Sequence, residues 1–401
     1  MWSTKIIKLL SGRRLAPVPT LFAKYNIAKY SSKKMKEGKC YSGKEFNELI
    51  GKKENLVKVL NRNLKHNGYI YVPDSLNILG PDERFMPSVN CDPGGLYFGS
   101  DKYISDFVTM VQEVRKPLIA KVRIPNDATV CVGISKYKTN ALYLEKPMEI
   151  NDYITDEYIV NRDDDTLSDL VSHCCRVEDL DLLKRIVYLA FKRINKRNYH
   201  DMMLISGIAS NFELLDMLAL NGVFNRQNNK DFVCKMASLG NLDVLKWFVQ
   251  KKYTANYDQA LYTACYYNHA KVAIYIMENC VDIADILEIS LTNPLSEVLD
   301  NSNLVLAQYL CEKGLTIQNP NYDLMNAVKN DRFEVLEFLL DRDVRPNPSA
   351  SPLFSLAIHK TDMKFLKILL DFGITPDEDI LKSAKSLDND SYKIIMNHMK
   401  F

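Results

Sequence analysis

The sequence predicts a mainly α-helical protein, an α-solenoid of about eight degenerate helix-pair repeats over residues 166–401, preceded by a small α/β domain over residues 37–150. Three observations carry that prediction. One set of apolar offsets recurs along the C-terminal region, small residues stand a fixed distance before most copies, and glycine follows several of them. Helix pairs that hide an apolar face only against their neighbours produce such a pattern.

The chain has 401 residues, more than one ordinary core organises, but repeats grow without a single core. Its 47% hydrophobic and 25% charged residues belong to a soluble globular chain. No apolar run approaches the roughly 18 residues of a membrane span, so no membrane partner is expected. A formal net charge of +2 lacks the excess of Lys and Arg that nucleic-acid binders concentrate, so no nucleic acid is expected either. The nine cysteines are odd in number, with no CxxC pair and no His at zinc-ligand spacing. They read as reduced thiols in an intracellular protein that holds no metal or cofactor.

Residues 1–36 contain no Asp or Glu but carry nine Lys and Arg among serines and scattered apolar residues such as Ile6, Ile7, Leu9 and Leu10. This reads first as a disordered basic leader, or as an upstream start with the true one at Met35. Mitochondrial targeting is the lesser reading of the same composition.

From Glu37 to Met148 short helical and strand-like stretches alternate. ENLVKVLNRNLKHNG from Glu54 reads as helical, and the β-branched runs LIAKVRI from Leu118 and ATVCVGI from Ala128 read as strands. Between them, the segment from Cys91 reads as a Pro-Gly turn, a strand ending at Gly99, and a helix capped by Ser100 or Asp101. Gly94, Gly95 and Gly99 fit neither phosphate-loop spacing and are ordinary turn and strand residues. The glycine-flanked LYFGS strand loosely resembles ADP-ribosyltransferase-like cores, the alternative being an array that targets such an enzymatic domain. His66, Arg123 and Glu145 are the residues such a site would recruit, but no fixed spacing links them, and no catalytic constellation is expected.

An acidic, Tyr-rich connector over residues 151–165 leads to Thr166, the expected N-cap of the first array helix, with Asp169 three residues on. In the clearest copy, apolar residues fall at Leu242, Val244, Leu245 and Phe248, at offsets of zero, two, three and six. Other copies start at Leu180, Phe212, Ala270, Leu304, Phe333, Met363 and Tyr392, and each set lies on one side of a helix. Successive starts lie 32, 30, 28, 34, 29, 30 and 29 residues apart. A compact domain of unrelated helices would not keep that interval.

Five and six residues before most starts lie small residues, among them Cys174 and Cys175, Ser206 and Gly207, Ala237, Ala264 and Cys265, Ala327 and Ala357. They let the two helices of a pair approach closely, with Val328 and Ile358 as the exceptions. Four residues beyond the last offset stand Gly222, Gly314 and Gly373, where a helix ends at positive φ without steric cost. Asp343 tolerates that conformation. Lys252 and Cys280 suit it poorly, so those copies should end with a different turn or a longer helix.

These residues resemble the ankyrin repeat, whose period is about 33 residues. GNLDVLKWF from Gly240 and FEVLEFLLDRD from Phe333 look like its second helix. The TPLH opening survives only as SPLF from Ser351, and the fifth copy is stretched around Asn293 to Asn303. Abundant Lys, Asn, Tyr and Ile with degenerate TPLH segments resemble the ankyrin proteins of giant amoeba-infecting viruses of the mimivirus type. That resemblance implies a viral protein acting in host cytoplasm on a host protein. Poxvirus relatives often end in an F-box-like segment, whereas this chain ends inside a repeat at Phe401, so ligase recruitment is not expected.

The resemblance further implies a non-catalytic, monomeric protein-binding scaffold, with His398 and the polar residues after it capping the stack. In the family, contacts come from hairpin tips and from positions after the small pair. Here those positions are Ile208 and Ala209, Ser238 and Leu239, Tyr266 and Tyr267, Lys329 and Asn330, and His359 and Lys360. Tyr266 and Tyr267 lead, because tyrosine offers large contact area at low entropic cost. One of them packing between repeats is the competing reading.

Overall fold

The computed structural model describes residues 35–51, 53–80, 84–86, 94–104, 117–133, 135–281, 293–346, 349–360, 362–387 and 390–399. The basic leader lies outside the described residues apart from Met35 and Lys36, as do the turn from Cys91 to Pro93 and the segment before Asn293. The chain parts into two compact units between Ile154 and Thr155.

The first unit is built on antiparallel strands: β1 (Cys40–Ser42), β2 (Leu56–Leu60), β3 (Lys65–His66), β4 (Tyr69–Ile70), β5 (Ser75–Ile78), β6 (Leu96–Ser100), β7 (Leu118–Arg123), β8 (Thr129–Val132), β9 (Tyr137–Thr139), β10 (Ala141–Leu144) and β11 (Met148–Glu149). Nine of them form one sheet in the order β1-β8-β9-β6-β2-β7-β10-β5, with β11 on β7, while β3 and β4 make a separate hairpin. Helix is confined to short pieces among the described residues, chiefly α1 (Gly43–Phe46), capped reciprocally by Ser42 and Glu45, and α2 (Ile150–Tyr153). Phe46 packs its ring edge-on against Phe98 and Tyr137 in the core.

Two expectations change here. The stretch from Glu54 is not helical, since β2 lies between β6 and β7 with all five side chains buried. A short, fully buried apolar run carries no periodicity to separate strand from helix, and Val57 and Val59 favour the strand. The cysteines are not all reduced either. Cys40 and Cys131 stand directly opposite each other on β1 and β8 and form a disulfide. Sequence spacing could not reveal a pair that sheet register creates 91 residues apart. Of the predicted helix after β6, the described part is a 3-10 turn over Asp101–Tyr103, capped by Ser100.

The second unit is helical. Its elements are α3 (Asp156–Asn161), α4 (Asp164–Val177), α5 (Leu180–Ala190), α6 (Tyr199–Ile208), α7 (Phe212–Leu220), α8 (Arg226–Ser238), α9 (Leu242–Gln250), α10 (Tyr257–Tyr266) and α11 (Ala270–Asn279). There follow α12 (Pro294–Asp300), α13 (Leu304–Glu312), α14 (Pro320–Lys329), α15 (Phe333–Asp341), α16 (Ser351–Ile358), α17 (Lys364–Asp371), α18 (Glu378–Ser386) and α19 (Ser391–His398). The chain is therefore mainly α-helical, and among the described residues no helix is long and apolar enough to cross a membrane. Residues 151–165, expected as connector, carry most of α2, all of α3 and the start of α4. The N-cap of α4 is Asp163 rather than Thr166. Its carboxylate accepts the Thr166 backbone N–H at 2.9 Å, and Thr166 is buried one turn inside the helix.

From α4 onward each even-numbered helix packs against the odd-numbered one that follows, and against the next even-numbered helix. The apolar offsets explain this. Residues at offsets two and three are fully buried in the copies from Leu180 to Met363, for example Val244 and Leu245 or Phe365 and Leu366. The residue at offset zero opens the second helix, or in the case of Met363 caps it, and is only half-buried or, at Phe212, exposed. The helix begins there because the residue before it is often a capping side chain. Asp179, Asn211, Asn241 and Asn303 each accept a backbone N–H from the residue at offset two. The small-residue register holds too, except that Val298 and Leu299 fill those positions before α13 and are buried nonetheless.

The second helices end as expected at Gly222, Gly314 and Gly373, all at positive φ, and at Asp343. Cys280 stays at φ −129. Lys252 departs from expectation, taking φ +58 and donating its N–H to the Val249 carbonyl at 2.9 Å, so the lysine adopts the glycine turn in place of a different one. A left-handed non-glycine residue costs about 1 kcal/mol. Lys252→Gly, which removes only an exposed side chain, is expected to raise stability by roughly 0.5–1 kcal/mol in urea denaturation. No gain would mean that the lysine stem makes compensating contacts.

The thiols of the helical unit are chemically quiet. Burial pushes Cys175 and Cys265 up to about 12, and Cys234 and Cys280 to about 11. None is poised as a thiolate nucleophile.

Candidate protein-binding surface

The predicted contact residues occupy equivalent places. Ile208, Ser238, Tyr266, Lys329 and Ile358 are the last residues of α6, α8, α10, α14 and α16, and the residues that follow them make the turns into the second helices. Each of the first four turns passes through a left-handed residue, in order Ser210, Gly240, Asn268 and Asp331. The turns therefore repeat one geometry and present corresponding side chains.

Side chains from each copy reach back to the turn before it. Asn241 donates to the Gly207 carbonyl at 3.0 Å, His269 Nε2 lies 3.0 Å from the Ser238 carbonyl, and Asn301 donates to the Cys265 carbonyl at 3.0 Å. The Lys360 ammonium donates to the Lys329 carbonyl at 3.0 Å and to Asp331 at 2.8 Å. These bonds fall on carbonyls at helix C-termini, of which those of Gly207 and Cys265 also accept the turn N–H groups of Ser210 and Asn268. Gly240 is needed for the second of these bonds, because a Cβ there would lie 2.7 Å from the His269 ring.

That ladder sorts the predicted residues. Lys360 and Ser238 are engaged in it, and Ser238 and Leu239 are half-buried. Asn330 is exposed but its amide donates to the Asn326 carbonyl at 3.1 Å. Lys329, His359 and Ala209 are exposed. Tyr266 and Tyr267 are 52% and 44% exposed, their rings edge-to-face at 5.0 Å. Both rings thus keep about half of their surface open to solvent, whereas the competing reading has one of them packed between repeats.

Sequence reading missed neighbours of this pair. Tyr262, one turn earlier on α10, donates its hydroxyl to Glu297 on α12 at 2.7 Å, and Tyr322 on α14 is 57% exposed. They lie outside the last turn of each first helix, the part that the repeat register marks. Exposed apolar side chains on the second helices, such as Tyr188 and Val305, stand singly and are ordinary surface.

In the first unit the residues weighed for catalysis do not converge. Arg123 and Glu145 pair with each other at 3.5 Å, Arg123 exposed and Glu145 half-buried, with Arg123 over the Tyr143 ring. His66 sits on the β3–β4 hairpin with Nδ1 2.9 Å from the Lys58 ammonium. Burial, then the charges of Lys58 and Lys136, push its pKa down to about 3, so it is neutral at physiological pH. Gly94 is a turn residue at φ +91, and Gly95 packs so closely on Lys138 that a Cβ would meet its stem at 2.2 Å.

No family model matches the chain. A protein of Acanthamoeba polyphaga mimivirus named for ankyrin repeats is 25% identical over 215 residues, a match that covers 46% of this chain and 55% of that protein. Among solved structures, an ankyrin repeat domain from Acinetobacter baumannii AYE is similar at a TM-score of 0.35 and 16% identity, covering 42% of this chain and 97% of that one. Through its recurring helix-pair register and the mimivirus match, the chain resembles the ankyrin repeat family and, within it, the repeat proteins of giant viruses.

Proposed function

We propose that residues 166–401 form an ankyrin-type solenoid of about eight repeats, the described pairs running from α4 and α5 to α18 and α19, and that it acts as a protein-binding scaffold without chemistry of its own. The supporting observation is the exposed Tyr266 and Tyr267 pair on a row of equivalent turns. Aromatic side chains held in the open on a rigid, repeated edge are suited to anchoring a partner. Ser238, Leu239, Lys329, Asn330, His359 and Lys360 flank that anchor, with Ser238 and Lys360 setting the turns and His359 and Lys329 meeting solvent. A host-cell protein as the partner, a monomeric scaffold and action in host cytoplasm follow from the likeness to the mimivirus protein.

The test is affinity capture from amoebal lysate with the full chain and with the Tyr266→Ala, Tyr267→Ala double variant. Interface anchors contribute about 2 kcal/mol or more each, so recovery of the main partner should fall more than tenfold while the melting temperature holds. Full recovery by the double variant would remove these tyrosines from the interface, and capture of nothing by the wild-type chain would count against the scaffold reading.

A further inference from the structure

Three consecutive first helices, α10, α12 and α14, pack side by side. Residues three or four apart share a helix face, and the sequence places Tyr262 and Tyr266 on α10, Glu297 and Asp300 on α12, and Tyr322 and Met325 on α14 at that spacing. Tyr262 holds one Glu297 oxygen at 2.7 Å, and the Tyr262 and Tyr266 rings are 6.3 Å apart. The Tyr322 phenol is raised, first by the charge of Asp300, then by partial burial and by Glu297, so it lies within electrostatic reach of both acids.

Positive charge is scarce on this face. Arg332 reaches Asp300 at 3.1 Å, and the Asn326 amide also donates to Asp300. Among the described residues no cation pairs with Glu297. A second, separate feature points the same way. Asp323, the residue after Tyr322, is only 3% exposed, and neither of its carboxyl oxygens is hydrogen-bonded. Burial raises its carboxyl, the Ser296 hydroxyl opposes that and the charge of Asp300 adds to it, so a buried acid borders an acidic surface flanked by tyrosines.

We propose that this face docks an arginine-bearing segment of the partner protein, the guanidinium meeting the Glu297 and Asp300 carboxylates beside exposed tyrosine rings. Arginine suits it better than lysine, because a planar fork engages two acceptors and stacks on aromatic faces. The inference rests on the protein-binding reading and adds the chemistry of the partner.

The experiment titrates the full chain, at physiological ionic strength, into a fluorescein-labelled Gly-Ser peptide carrying three arginines, with lysine and citrulline counterparts. Saturable binding of the arginine peptide is expected. Glu297→Gln and Tyr322→Ala should each weaken it at least tenfold, Tyr188→Ser on α5 should leave it unchanged, and citrulline should abolish it. Absence of binding, indifference to both variants, or equal binding of the lysine or citrulline peptide would overturn the assignment. The capture assay separates the two readings. A partner lost by the tyrosine double variant but retained by Glu297→Gln leaves the scaffold standing and removes the arginine site, whereas capture of nothing by wild type removes the scaffold itself.

Discussion

Leu245→Asp is expected to open the middle of the helical unit at room temperature. Leu245 is 1% exposed at the third apolar offset of α9, a helix packed against α8 and α11. The substitution removes a buried leucine side chain, a loss of about 2–3 kcal/mol, and places a carboxylate in a buried apolar position, which adds several more. The sum, of order 5 kcal/mol, rivals the whole stability of a typical domain. Because helix pairs in such a stack lean only on their neighbours, damage should be greatest nearby. Hydrogen exchange should show residues 226–279 losing protection while residues 351–386 keep theirs. Val305→Asp is the control, since Val305 is 84% exposed in the first turn of α13, where an acid favours the helix dipole. Its effect should stay within about 0.5 kcal/mol. Unchanged melting of Leu245→Asp would contradict the register assigned to α9.

The contrast between these two substitutions also marks what the sequence makes legible. The helical unit could be read because its information is local. Offsets two and three bury their residues from Leu182 and Leu183 through to Phe365 and Leu366, and the glycines at 222, 314 and 373 take the turns they suggest. The caps were readable and were overlooked, since a polar side chain stands immediately before most apolar starts. Lys252 misleads for a physical reason. A penalty near 1 kcal/mol decides nothing when the helices on both sides of the turn are already fixed by burial.

The first unit was less legible because its order is non-local. β2 is a central strand only by virtue of β6 and β7, about 40 and 60 residues further along. Cys40 meets Cys131 only once β1 and β8 are in register. Lys58 and Lys138, which composition alone would place in water, are buried beneath the Tyr71 and Tyr97 rings. The candidate surface shares that difficulty. Tyr266 and Tyr267 are adjacent in sequence and were found, whereas Glu297 and Tyr322 join Tyr262 only through the packing of α10, α12 and α14.

Asp323→Asn is expected to stabilise the protein at neutral pH by up to about 3 kcal/mol. Burial, opposed by the Ser296 hydroxyl and reinforced by the charge of Asp300, pushes the Asp323 carboxyl from an ordinary 3.8 up to about 6. The Ser296 hydroxyl faces it outside hydrogen-bond geometry and is itself unsatisfied. An acid with a raised folded-state pKa binds its proton more tightly in the folded chain than in the unfolded one. Its contribution is therefore fully present below pH 4, is lost as pH rises toward 6, and stays lost above. Roughly two units correspond to about 3 kcal/mol. The asparagine keeps the shape, offers an N–H to Ser296 and carries no charge to desolvate. Denaturation from pH 3.5 to 7.5 should show the two proteins alike in acid and diverging through pH 4 to 6, and a constant difference would mean the carboxyl is already compensated. Such a strained acid persists in a natural chain most readily where it serves recognition. If the more stable variant also binds the arginine peptide more weakly, the negative charge is kept for the partner, and if binding is unchanged Asp323 belongs to the scaffold alone.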